Sequence, residues 1–96
     1  MTVAVPNNAS TKVLEKVEAV FCHAVWFQNF NTTTGLRMRC GAAADAAEFY
    51  LPPAGGATAP ASLVVQNSGG DSFLVNAEWF VWQNSGGAVN INCGRW

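Results

Sequence analysis

The sequence predicts a mainly β protein, a small antiparallel sandwich or barrel of about six or seven strands. Two observations carry that expectation. The pentapeptide Gln-Asn-Ser-Gly-Gly occurs twice, at 66–70 and 83–87, each time between short runs rich in Val, Phe, Trp and Ile. Glycine pairs allow the positive φ of a tight reversal, and Asn and Ser side chains bond back to their own backbone. A third polar stretch, Asn31-Thr32-Thr33-Thr34-Gly35, also ends in glycine and separates two apolar runs. Short β-branched and aromatic runs divided by such turns are the pattern of a sandwich or barrel.

Taken in order, residues 1–10 read as an extended arm, because Pro6 and the polar Asn7-Asn8-Ala9-Ser10 oppose a strand. A single β domain then covers 11–96. Thr11–Ala19 is either a short helix, from the spacing of Val13, Leu14 and Val17, or the start of a long edge strand. Val20–Phe30 is β-branched and aromatic, and reads as a strand. Leu36-Arg37-Met38-Arg39-Cys40 alternates, with Leu36, Met38 and Cys40 facing inward. Ala, Gly and Pro dominate 41–61 apart from the run Glu48–Leu51, and 52–61 is a long loop.

From Ser62 onward the expectation is a strand meander with turns at Asn67–Gly70 and Asn84–Gly87 and no helix. Its core face is expected to hold Val65, Phe73, Val75, Val81, Val89 and Ile91. Asn76-Ala77 is a place for a bulge.

Ninety-six residues suffice for one core, which buries roughly 60–65% of the unfolded chain's surface. Charged residues are 11% of the chain, against about 25% in an ordinary globular protein. Neutral polar and aromatic side chains must therefore cover much of the outside, a composition that resembles an interface. The net charge is −1 and the basic residues are Lys12, Lys16, Arg37, Arg39 and Arg95, which opposes nucleic-acid binding. The N-terminus lacks the basic and apolar regions of a signal peptide, and no apolar run is long enough to span a bilayer. Cys22, Cys40 and Cys93 form no CxxC pair and are expected to be free thiols, with no zinc site.

Catalysis has few candidates. His23 is the single histidine, and a partner thiol would have to come from Cys40 or Cys93 across the sheet; a structural histidine is the stronger reading. Of six carboxylates, Glu78 beside Trp79 stands out, and its plain reading is a solvated charge at a strand end. Neither metal nor cofactor is expected.

The surface offers more. Trp79 and Trp82 fall on opposite faces of a regular strand, so one faces outward. Trp26 is expected in the core, and Trp96 at an exposed end. Arg37 and Arg39 share a face, where they reach either a carboxylate on another chain or, the favoured reading, Glu15 or Glu18. The interface candidates are Trp79, Trp82, Trp96, Arg37, Arg39 and Arg95.

The polar arm, the low charge, the glycine-turned strands and the terminal aromatic together resemble small virion structural proteins. That resemblance is one of general character. It implies a non-enzymatic assembly protein, a capsid decoration or minor coat subunit assembled in a host cytoplasm, with other protein subunits as partners. The alternative is a carbohydrate-binding module or small lectin that stacks sugar on an outward Trp beside Asn and Gln.

Overall fold

The computed structural model describes residues 1–17, 22–41, 49–56, 58–66 and 73–96. They form eight strands: β1 (Thr2–Val5), β2 (Thr11–Leu14), β3 (Ala24–Asn29), β4 (Leu36–Cys40), β5 (Phe49–Leu51), β6 (Ala61–Gln66), β7 (Trp79–Trp82) and β8 (Val89–Arg95). A single helical turn, α1 (Phe73–Asn76), precedes β7. Every strand pairing is antiparallel, in two four-stranded sheets of order β1-β8-β3-β6 and β2-β7-β4-β5. The molecule is thus a β-sandwich rather than a closed barrel.

The core is made where the inward parities of the two sheets meet. Val5, Val25, Phe27, Ile91 and Cys93 come from one sheet, and Leu14, Leu36, Met38, Trp79 and Val81 from the other. Phe27 and Trp79 meet across the middle with ring centroids 5.0 Å apart, tilted by 56°. Burying each of these larger side chains contributes about 1.5–3 kcal/mol. Of the six side chains assigned to the core from sequence, Val75, Val81 and Ile91 are fully buried, and Val65 and Val89 pack partly buried against them. The Phe73 side chain lies outside the described set, as do Glu18, Val20, Phe21, Asp45, Glu48, Asp71 and the first Asn-Ser-Gly-Gly turn at 67–70.

Four expectations are corrected or decided between alternatives. Thr2–Val5 is a strand, not a free arm: it pairs with β8, and Val5 is completely buried. Pro6 merely ends it, because proline is tolerated just beyond an edge strand. Of the two readings of Thr11–Ala19, the edge strand holds at Thr11–Leu14, with a register shift between Lys12 and Leu14.

The third concerns topology. The stretches 30–35 and 83–87 are not hairpin turns, because β3 and β4 lie in different sheets, as do β7 and β8. Each carries the chain across the sandwich. A polar, glycine-ended stretch tells that the chain reverses, but inward parity is the same whether the next strand joins the same sheet or the opposite one.

The fourth is α1, which replaces an expected strand in the meander. One turn of helix leaves its carbonyls without internal partners. Here side chains supply the donors: Trp79 Nε1 donates to Leu74 O at 2.8 Å, Arg95 Nε to Val75 O at 2.7 Å, and Arg95 Nη2 to Ala77 O at 2.6 Å. Those long-range bonds outweigh the local β-preference of Phe73-Leu74-Val75.

Two buried amides organise the crossings. Asn29, the last residue of β3, donates from Nδ2 to Thr34 O and Pro52 O, and its Oδ1 accepts from the Asn31 backbone and side chain. Gln83, just past β7, donates from Nε2 to Val5 O and Gly87 O, and its Oε1 accepts from Ser85 N. Asn31 Nδ2 in turn donates to Asn90 O, so the two crossings lie side by side at one end of the sandwich. Gly86 holds φ at +95°, which a side chain would strain.

Candidate functional site

The chain presents two decorated outer faces. On the β1-β8-β3-β6 sheet, cross-strand pairing lines up Val64, Trp26 and Gly94 in one row, and Ser62, Gln28, Asn92 and Thr2 in the next. Trp26 is therefore not in the core, which corrects its sequence reading. Its indole lies across β8 where Gly94 has no side chain; a Cβ there would come within 2.8 Å of the ring. Trp96 lies one row further along, opposite Ala24. Its backbone exchanges hydrogen bonds with Ala24 (3.1 and 3.2 Å), while its side chain is 56% exposed. A shallow depression of about 340 Å³ lies among Trp26, Gln28, Ser62, Val64 and Trp96.

This depression borders the edge strand β6. The other three sheet edges are each blunted: β1 has four residues and runs into Pro6, β2 has a register shift and carries Lys12, and β5 has three residues and ends at Pro52-Pro53. β6 follows directly on Pro60, but its six residues, Ala-Ser-Leu-Val-Val-Gln, hold no charge and no proline. Among the described residues only β3 pairs with it, and none pairs with the backbone donors and acceptors on its other side.

On the β2-β7-β4-β5 sheet, cations and aromatics alternate. One row reads Lys12, Phe80, Arg39 and the other Trp82, Arg37, Tyr50. Lys12 lies over the Phe80 ring at 5.9 Å and bridges Glu78 and Glu15 at 3.4 and 3.5 Å. The hydrogen bond that Lys12 donates to Glu78, with the charge of Glu15, pushes its ammonium pKa up. The Arg37 guanidinium stacks over Tyr50, 4.4 Å from the ring centroid. Glu15, one of the two carboxylates expected to pair with Arg37 or Arg39, is bridged by Lys12; the other, Glu18, lies outside the described residues.

The six interface candidates therefore divide. Trp82, Arg37 and Arg39 come together on this second face, and Trp96 is exposed on the first. Trp79 is 2% exposed and belongs to the core, and Arg95 is engaged with the carbonyls beside α1. Burial takes Trp79 out of the interface set, while Arg95 is half-buried with Nε and Nη2 bonded within the chain. Trp26, Gln28, Val64 and Tyr50 were missed. Tyr50 sits in a three-residue strand that propensity barely marks, and Trp26 is legible only once Gly94 is known to lie opposite it.

The thiols offer little chemistry. All three cysteines are free. Cys93 is buried and its Sγ–H points to Val13 O at 3.7 Å, whereas His23 is exposed. Burial pushes the thiol pKa of both Cys93 and Cys40 up, away from the reactive thiolate. Among the described residues no group of three His, Cys, Asp or Glu side chains is placed to hold a metal ion, and no helix is long and apolar enough to cross a membrane.

By fold and surface, the chain is an antiparallel β-sandwich with an aromatic face on either side and, among the described residues, one edge without proline, charge or bulge within its strand. No family model, curated protein or solved structure is detectably similar to it.

Proposed function

We propose that this protein is a non-enzymatic assembly protein that works by protein–protein contact. The observation that carries the reading is the open β6 edge beside the Trp26, Val64 and Trp96 depression. Natural sheets protect long edges with charge, proline, bulges or shortness, and three of the four edges here follow that rule. An unprotected edge next to exposed apolar side chains suits strand addition from a neighbouring chain. Val64 is 47% exposed and Trp96 56% exposed, and both lie where such a neighbour would sit. Low charge over the whole chain points the same way.

The neighbour is a second copy or a shell of other subunits, and a capsid decoration or minor coat protein of a virus or phage is the setting we favour. Light scattering after size exclusion tests the reading. The native chain should associate, and Val64→Lys, which charges the open edge, should be monomeric with an unchanged circular dichroism spectrum. A native chain that stays monomeric at high concentration alone and with candidate shell subunits, or a Val64→Lys variant that assembles normally, contradicts it.

A further inference from the structure

The second face holds a site of different chemistry. Arg37 stands between Trp82 on β7 and Tyr50 on β5. The Tyr50 phenol folds back over Gly35, where a Cβ would clash with the ring, and this brings the ring under the guanidinium. Stacking uses the flat face of the guanidinium and leaves its rim of N–H donors for a second partner. Among the described residues no carboxylate forms an ion pair with it; Glu15 and Glu78 are both engaged by Lys12.

In front of Arg37 lies a cleft of about 410 Å³, bordered by Thr33, Thr34, Asn84, Ser85 and the Trp82 ring. Its volume lies within the range of about 300–1,000 Å³ usual for small-molecule sites. The Thr33, Thr34 and Ser85 ridge also borders a second depression of about 610 Å³ that extends to Phe30 and Val89. Hydroxyl and amide groups thus continue beyond the cationic end, along the two crossings.

The geometry points to a site for a carboxylate-bearing sugar, a uronic acid within an oligosaccharide. The sugar carboxylate meets the forked edge of Arg37, a bidentate geometry that guanidinium matches and ammonium does not. The pyranose ring lies against Trp82, an amphipathic surface suited to a ring with one apolar face. Ring hydroxyls reach Thr33, Thr34, Asn84 and Ser85, and the next sugar follows the ridge. A neutral sugar would leave the Arg37 charge unused, and a phosphate group would call for more cations than this one. An acidic peptide would satisfy Arg37 but not the row of hydroxyls. The site faces away from the Trp26 face, so it stands apart from the assembly reading.

Calorimetric titration with trigalacturonate, a neutral galactose trimer and a glutamate-rich peptide tests this. Trigalacturonate should bind at least about tenfold more tightly than either of the others, and its affinity should fall as salt is raised. Arg37→Gln and Trp82→Ala should each cost about tenfold or more, while Lys16→Gln should leave binding unchanged. If Arg37→Gln does not fold, Arg37→Lys keeps the charge and loses the fork, and should still weaken binding. Equal binding of the neutral trimer, tighter binding of the peptide, no binding of trigalacturonate, or native affinity in folded Arg37 and Trp82 variants each overturns the proposal.

Discussion

Gln83 and Val5, 78 residues apart, are joined by a 3.0 Å hydrogen bond from the Gln83 side-chain amide to the Val5 carbonyl. The same nitrogen donates to Gly87 O at 2.7 Å, and the amide oxygen accepts from Ser85 N at 2.8 Å. One buried side chain therefore closes the β7–β8 crossing and fastens β1 to it. Gln83→Leu keeps the volume but takes the side-chain partner from Val5 O and Ser85 N, while Gly87 O retains Ser85 Oγ. The expected loss is about 2–3 kcal/mol, which should appear as a Tm lowered by roughly 10–20 °C in a domain this size. A melting curve unchanged within a few degrees would show that the amide is dispensable.

Removing residues 1–6 tests whether the N-terminus is part of the fold. The deletion takes away β1 and the fully buried Val5, and exposes the β8 edge. Loss of one buried valine alone costs about 1.5–3 kcal/mol, and the β1 pairing is lost with it. The shortened chain should melt well below the intact one or fail to fold. Native-like denaturant unfolding would mean that β1 is an accessory.

Trp26 and Gly94 make a second sharp test. A Cβ at Gly94 would stand 2.8–2.9 Å from three indole atoms, so Gly94→Ala must push Trp26 off the sheet. The expected cost is about 1–3 kcal/mol, with a red shift in tryptophan emission as Trp26 gains solvent. Unchanged emission and stability would place the ring elsewhere.

The thiols give a pH dependence. Burial raises the folded pKa of Cys93 and Cys40 above their unfolded values, so the neutral thiol is favoured in the native state. The resulting stability is complete below the unfolded thiol value of about 8.5. It is lost as pH rises through the raised folded values. Denaturant midpoints should therefore fall above about pH 9, and Cys93→Ala or Cys40→Ala should flatten that fall. Equal slopes in the variants and the native chain would assign the alkaline loss to other groups.

Strand identity was legible because it depends on local alternation. Leu36 and Met38 face inward, and Trp79 and Trp82 split between faces, as period-two spacing requires. Sheet membership was not legible, because Asn31–Gly35 and Gln83–Gly87 look the same whether they make hairpins or cross the sandwich. A signal was present nonetheless: Asn29 continues the inward series Val25, Phe27, and Gln83 continues Trp79, Val81. A polar amide at the inward end of a strand needs buried partners, and an inter-sheet crossing provides them. α1 was hidden because its carbonyl partners, Trp79 and Arg95, lie outside the local sequence. On the surface, Arg37 and Trp82 could be named from sequence. Tyr50, Gln28 and Val64 joined the sites only through cross-strand register.

Amide hydrogen exchange across Ala61–Gln66, followed as the protein is concentrated, tests the assembly account most directly. Amides in β6 that face away from β3 exchange quickly in a monomer, since nothing among the described residues accepts from them. If the chain assembles through this edge, those amides should gain protection in step with association, while β1, β2 and β5 stay as they were. Association without added protection in β6, or protection that appears at another edge, would contradict the account.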